Sequence, residues 1–223
     1  MARITLPSGT PAELARPDDD QLRAFGLVIA PDILGLRPLF EDLVARLSAE
    51  QGWSVVAVEP FPGQTFAEGD VDARFEAASR LDDDLVLGDL VAAAELLGAS
   101  RVGLIGFCMG GMYALKAAST GAFDRACAFY GMIRVPRAWH GSGQGEPLEH
   151  LARRSPRTEV MAVLGEVDPY TPEEDVEALR ATGAEVVVYP DAEHGFVHDP
   201  SRPAHRPVEA ADAWARCLAF LQG

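Results

Sequence analysis

Val102-Gly103-Leu104-Ile105-Gly106-Phe107-Cys108-Met109-Gly110-Gly111 runs directly into Met112-Tyr113-Ala114-Leu115. The stretch reads as a short apolar strand, a sharp turn and an apolar helix over 112–118. Gly106 and Gly110 bracket Cys108 at two residues on either side. This is the G-x-S-x-G nucleophile-elbow pattern with sulfur in place of oxygen. A strand-to-helix turn that tight forces its central residue into a strained backbone, and only glycine fits at the flanking positions. The helix then aims its free N–H groups at the turn, where they favour a thiolate and a developing oxyanion. The Met109 amide is the natural oxyanion donor. A free cysteine is ordinarily a small buried hydrophobe, but strand, glycine bracket and helix together favour a nucleophile at Cys108. Cys127, inside a strand run, and Cys217, on the packing side of the last helix, read as core.

Outward from the elbow, short apolar runs recur at 27–30, 55–58, 126–130, 160–164 and 186–189. None alternates polar with apolar, so both faces of each strand should be covered, the signature of a buried parallel sheet. Helical patterns lie between them. Leu39, Phe40, Leu43 and Leu47 share a face after Pro38, which suits a first helical turn. Asp82-Asp83-Asp84 precedes Leu87, Leu90, Val91, Ala94 and Leu97, and acids in a first turn favour the helix dipole. Asp18-Asp19-Asp20, beside Pro17, reads as a turn. Both triplets are expected to be solvated rather than metal-binding. Thr171-Pro172-Glu173-Glu174 has the form of a capping box, and Ala211, Trp214, Leu218 and Leu221 stripe a final helix. Segments 61–80 and 136–156 carry no clear strand and read as excursions above the sheet edge. Segments 4–6 and 12–15 could form an edge hairpin. Strand-helix alternation gives an α/β fold with crossover connections.

The chain has 223 residues, a formal net charge of −15 and three cysteines. The length suits one domain, 1–223, able to bury a core without disulfides. The acidic surplus argues against nucleic acid or an anionic membrane as partner. No apolar run is long enough to span a bilayer, and the N-terminus lacks the pattern of a signal peptide. A cytoplasmic location is therefore expected. Nothing demands more than a monomer, and a dimer stays open. The histidines lack zinc-motif spacing and no phosphate-binding loop is present, so neither a metal nor a cofactor is expected.

An elbow thiol needs a base, and the base an orienting acid. Asp168 follows the 160–164 run and His194 follows the 186–189 run, so both should emerge at the carboxyl edge of the sheet with Cys108. Glu166 rivals Asp168, with Asp191 and Glu193 behind. Ala30-Pro31-Asp32-Ile33 occupies the loop that supplies a second oxyanion amide, with Ile33 as donor. Asp32 would lie close to the thiol, although its simplest reading is a cap or turn.

These segments together resemble the dienelactone hydrolase family. The resemblance rests on Gly106-Phe107-Cys108-Met109-Gly110-Gly111, the Asp168 loop and His194-Gly195-Phe196, with Ala128-Phe129-Tyr130-Gly131 and Gly88-Asp89-Leu90 in support. It implies a three-layer α/β-hydrolase fold, a mostly parallel sheet with helices on both faces. It implies a triad of Cys108, His194 and Asp168 that cleaves a lactone or small carboxylic ester through an acyl-thioester. Asp32 stands where family members often carry a Glu that holds the resting thiol. His198 stands where the family has a substrate-binding arginine; Arg74, Arg80 and Tyr130 are further candidates for substrate contact. A non-catalytic or redox-responsive thiol protein on the same scaffold is the alternative.

Overall fold

The computed structural model describes residues 1–17, 24–67, 69–155 and 157–223. The Asp18-Asp19-Asp20 turn lies outside them. Eight strands form one sheet in the order β1-β2-β4-β3-β5-β6-β7-β8. β3 (Phe25–Ala30), β4 (Ser54–Val58), β5 (Arg101–Phe107), β6 (Arg125–Phe129), β7 (Glu159–Gly165) and β8 (Glu185–Tyr189) run parallel to one another. β1 (Ala2–Thr5) and β2 (Pro11–Ala15) form the edge hairpin, and β2 joins β4 antiparallel.

Successive side chains of a strand point to opposite faces, so two glycines of β5 identify the layers. A Cβ on Gly103 would meet Leu221 of α7 (Pro207–Gln222), and one on Gly106 would meet Gly110 of α4 (Met109–Ala117). α7 and α4 therefore cover opposite faces. α1 (Pro38–Gln51) lies beside α7, with Arg46 over the Trp214 ring. α3 (Asp83–Leu97) lies beside α4. The result is the helix-sheet-helix sandwich of the α/β-hydrolase fold.

The apolar runs form strands as expected, and β3 to β7 are buried almost throughout. β8 departs from expectation. Val186, Val187 and Val188 are only half-buried, because β8 is the sheet edge and no strand lies beyond it. Three helix readings also change. The final helix buries Ala210, Ala213, Cys217 and Leu221, while Ala211 faces solvent. Its inner face is thus turned by one residue. No capping box forms at Thr171: α6 (Glu173–Ala181) takes Pro172 as its N-cap, and the Thr171 hydroxyl is buried without a partner. The second acidic triplet caps α3 through Asp82, whose side chain accepts from Asp84 N–H. Asp83 is not solvated, however; it is buried and paired to Lys116, itself fully buried. The two excursions hold α2 (Val71–Ala78), a 3-10 turn (Arg137–Trp139) and α5 (Pro147–Ala152), and no strand among the described residues.

Candidate active site

Cys108 sits between the end of β5 and the first residue of α4, with φ 55° and ψ −118°. Positive φ is costly for a residue with a Cβ. The flanking glycines make it possible: a Cβ on Gly106 would come within 2.0 Å of Gly110 O, and one on Gly110 within 2.0 Å of Ala30 O. Cys108 N–H donates to Phe129 O at 3.0 Å, and its carbonyl accepts from Met112 N–H. Met109 N–H is the first of α4 and has no intrahelical acceptor. Neither it nor Ile33 N–H finds another acceptor among the described residues.

Asp168 and His194 leave the carboxyl ends of β7 and β8. His194 Nδ1 donates to Asp168 Oδ2 at 2.8 Å, and the other oxygen, Oδ1, accepts from Tyr170 N–H at 2.9 Å. The Asp168 side chain is fully buried. His194 Nε2 is buried without a hydrogen-bond partner, and it lines the same cavity as Cys108. Burial opposes charging of His194, but the Asp168 carboxylate and the neighbouring Cys108 sulfur outweigh it and the imidazole is pushed up to about 10. Because Nε2 makes no hydrogen bond, we assign the larger share to Asp168. Glu166 is exposed and accepts from Asp191 N–H, away from the imidazole.

Asp32 has every donor it can use. Oδ1 accepts from Leu34 N–H at 3.0 Å and from Arg37 at 2.7 Å; Oδ2 accepts from Arg37 and from His198 Nε2, each at 2.8 Å. Burial works against its charge, yet His198 and Arg37 prevail and hold the carboxyl well below its usual range. Since Asp32 only accepts, His198 carries its proton on Nε2, and Nδ1 accepts from the Tyr130 hydroxyl. Burial pushes His198 down and Tyr130 up, so both are neutral. No hydrogen bond links Asp32 to Cys108 among the described residues.

A cavity of about 340 Å³ opens over Cys108. Asp32, Ile33, His194 and Arg202 line it with Leu34, Val71, Phe75, Met132, Trp139 and Tyr170. The structure thus brings Cys108, His194, Ile33 and Asp32 to one chamber. The four candidates for substrate contact lie outside that lining. Arg80 is exposed and pairs with Glu76 one helical turn back. Tyr130 and His198 are sealed behind Asp32, with the His198 ring stacked on Phe107. Arg74 is held by Glu59 and lies over Phe66, beside the Ile33 carbonyl. The cavity's arginine is Arg202, which has no carboxylate partner among the described residues. Arg37 escaped the sequence reading because a residue before Pro38 looks like a helix cap. Phe75 and Trp139 escaped because they sit in the excursions, where no periodicity marks an inward side.

The model of the dienelactone hydrolase family matches residues 11–223. A Bradyrhizobium protein named "Probable 2-oxo-3-(5-oxofuran-2-ylidene)propanoate lactonase" is 29% identical over 224 residues, which cover 95% of this chain and 88% of the relative. The carboxymethylenebutenolidase of Rhodococcus opacus is 26% identical over 232 residues, 97% and 88% of the two chains. A crystal structure from Klebsiella pneumoniae, titled "Putative Dienelactone Hydrolase", superposes with a TM-score of 0.84 at 27% identity, covering 99% of this chain and 97% of that one.

Proposed function

The chain belongs to the dienelactone hydrolase family and is a lactone or ester hydrolase, and on that premise we propose that Cys108, His194 and Asp168 carry the reaction through an acyl-thioester. The observation behind this reading is that the strained thiol and the Asp168-bound imidazole line one cavity. His194 Nε2 takes the thiol proton as Cys108 Sγ attacks the carbonyl carbon. The oxyanion is received by the Ile33 and Met109 N–H groups, and such donors are worth about 3–4 kcal/mol each. His194, which Asp168 pushes up to about 10, then delivers that proton to the leaving oxygen as the C–O bond breaks. In a lactone that oxygen stays tethered to the acyl group as a hydroxyl.

Acylation makes the sulfur neutral. One of the influences that raises His194 is then gone, which favours release of the proton to the leaving group. Neutral His194 next removes a proton from water. The hydroxide attacks the thioester, the C–S bond breaks, His194 returns its proton to the Cys108 sulfur, and the acid leaves. Asp168 holds the imidazole with Nδ1 protonated throughout, so that Nε2 does the proton transfer. Arg202 is the cation available to an anionic substrate, and arginine suits carboxylate recognition. Assays of Cys108→Ala on dienelactone and on a 4-nitrophenyl ester test the reading. A loss of at least about 10³-fold is expected, as for other removed nucleophiles, and near wild-type rates overturn it.

A further inference from the structure

We propose that the acyl part of the substrate carries a planar aromatic ring that packs on the Phe75–Trp139 wall of the cavity, an inference that rests on the hydrolase reading above. Large apolar side chains left exposed are usually scattered, and a cluster in a concavity marks a binding site. Here Val71, Phe75 and Tyr170 are 39%, 38% and 42% exposed, and all three line the chamber over Cys108. Trp139 is buried behind Phe75, with the rings edge-to-face at 5.6 Å and 60°. That leaves a Phe75 surface open to a third ring in the arrangements aromatic groups prefer.

The charges around the chamber fit a mostly apolar occupant. Asp32 is neutralised by Arg37, and Arg74 by Glu59. Arg202 is the remaining cation in the lining. The chamber also exceeds what a compact lactone fills, at about 340 Å³. Position separates the two halves of the ester. Tyr170 meets the His194 ring edge-on at 5.0 Å, so it flanks the group that receives the proton, which is the alcohol. The Phe75–Trp139 pair has no ring contact with His194 and belongs to two other elements, α2 and the 3-10 turn. It therefore faces the acyl half.

The test holds the leaving group constant and varies only the acyl group. Two nitrophenyl esters, the phenylacetate and the acetate, are compared by kcat/KM in wild type, Phe75→Ala and Phe75→Tyr. We expect the wild type to prefer phenylacetate by at least about tenfold. Phe75→Ala should lose that preference through a rise in KM for the phenylacetate that exceeds any change for the acetate, and Phe75→Tyr should keep it. A wild-type preference of one or less, or an equal loss on both esters in Phe75→Ala, overturns the proposal. If neither ester is hydrolysed the hydrolase reading fails, and binding then decides this one. N-methylphenylacetamide, followed by NMR shift perturbation, should bind wild type better than N-methylacetamide and lose that advantage in Phe75→Ala; equal binding of the two amides overturns the proposal.

Discussion

His198 Nε2 lies 2.8 Å from Asp32 Oδ2, 166 residues away in the chain, and that bond completes the set of four donors on a buried carboxylate. The pair ties the loop after β3, which carries Ile33, to the loop after β8, which carries His194. The two are therefore positioned together rather than by separate loops. Neutral His198 and the Arg37 cation let the carboxylate stay charged without leaving the interior ionically unbalanced.

His198→Ala should cost about 3 kcal/mol, because it strands the Tyr130 hydroxyl in the interior, at about 1–3 kcal/mol for an unsatisfied group, and takes one of the two donors from Asp32 Oδ2, which keeps Arg37. Urea denaturation measures it. A loss under about 0.5 kcal/mol would show that the network is not a structural tie. Activity should fall as well, since the Ile33 amide depends on the same loop.

The two histidines give stability opposite slopes with pH. His198 is lowered by burial, so the unfolded chain binds its proton first and stability falls as pH drops below about 6.5. His194 is raised to about 10, so its contribution is complete below about 6.5 and is lost as pH climbs through 10. Each proton carries a slope near 1.4 kcal/mol per pH unit. His198→Gln should flatten the acid limb and leave the alkaline limb. An unchanged acid limb counts against a neutral His198.

His194 should titrate near 10 in an NMR experiment and move downward in Asp168→Asn, where the raising carboxylate is gone. A midpoint unaffected by Asp168→Asn would mean that the imidazole draws its basicity from elsewhere.

Lys116 and Asp83 form a second buried pair, with Nζ 2.8 and 3.1 Å from the two carboxylate oxygens. It joins α4 to α3 behind the elbow. Lys116→Met alone should cost about 3–5 kcal/mol by leaving a buried charge, while Lys116→Met with Asp83→Leu should recover much of the loss. Equal stability of the single and double variants would contradict this.

Arg202→Gln should weaken apparent binding of the anionic dienelactone about tenfold, read as a rise in KM, with little change in kcat or in the kinetics of a neutral ester. Such a separation is what loss of one charge-assisted contact gives. Equal effects on both substrates would point to a role in loop structure, where Arg202 packs close to Gly195.

Cys108, Asp168 and His194 were legible because each follows an apolar run that reads as a strand, and chain order then puts all three at one edge. The glycines around Cys108 were legible for a steric reason that the 2.0 Å approaches bear out. What surrounds them was not. Arg37 is five residues from Asp32 and His198 is 166 residues from it; neither spacing signals a shared hydrogen bond. Asp83 looked like part of a solvated helix start, nothing in the sequence marks Lys116, and only the packing of α3 on α4 makes them a buried pair. The apolar wall comes from short elements whose inward side depends on what they pack against. Thr171 shows the opposite error, a local capping pattern that the chain does not use.

The chemistry turns on a covalent acyl group on Cys108. Wild-type protein mixed with a slowly hydrolysed aryl ester, quenched in acid within the first turnover and analysed by peptide mass spectrometry, tests it directly. The expected result is an acyl mass on the peptide containing Cys108, decaying as product acid appears. Product formation with no adduct on Cys108, and with the same rate in Cys108→Ala, would contradict it.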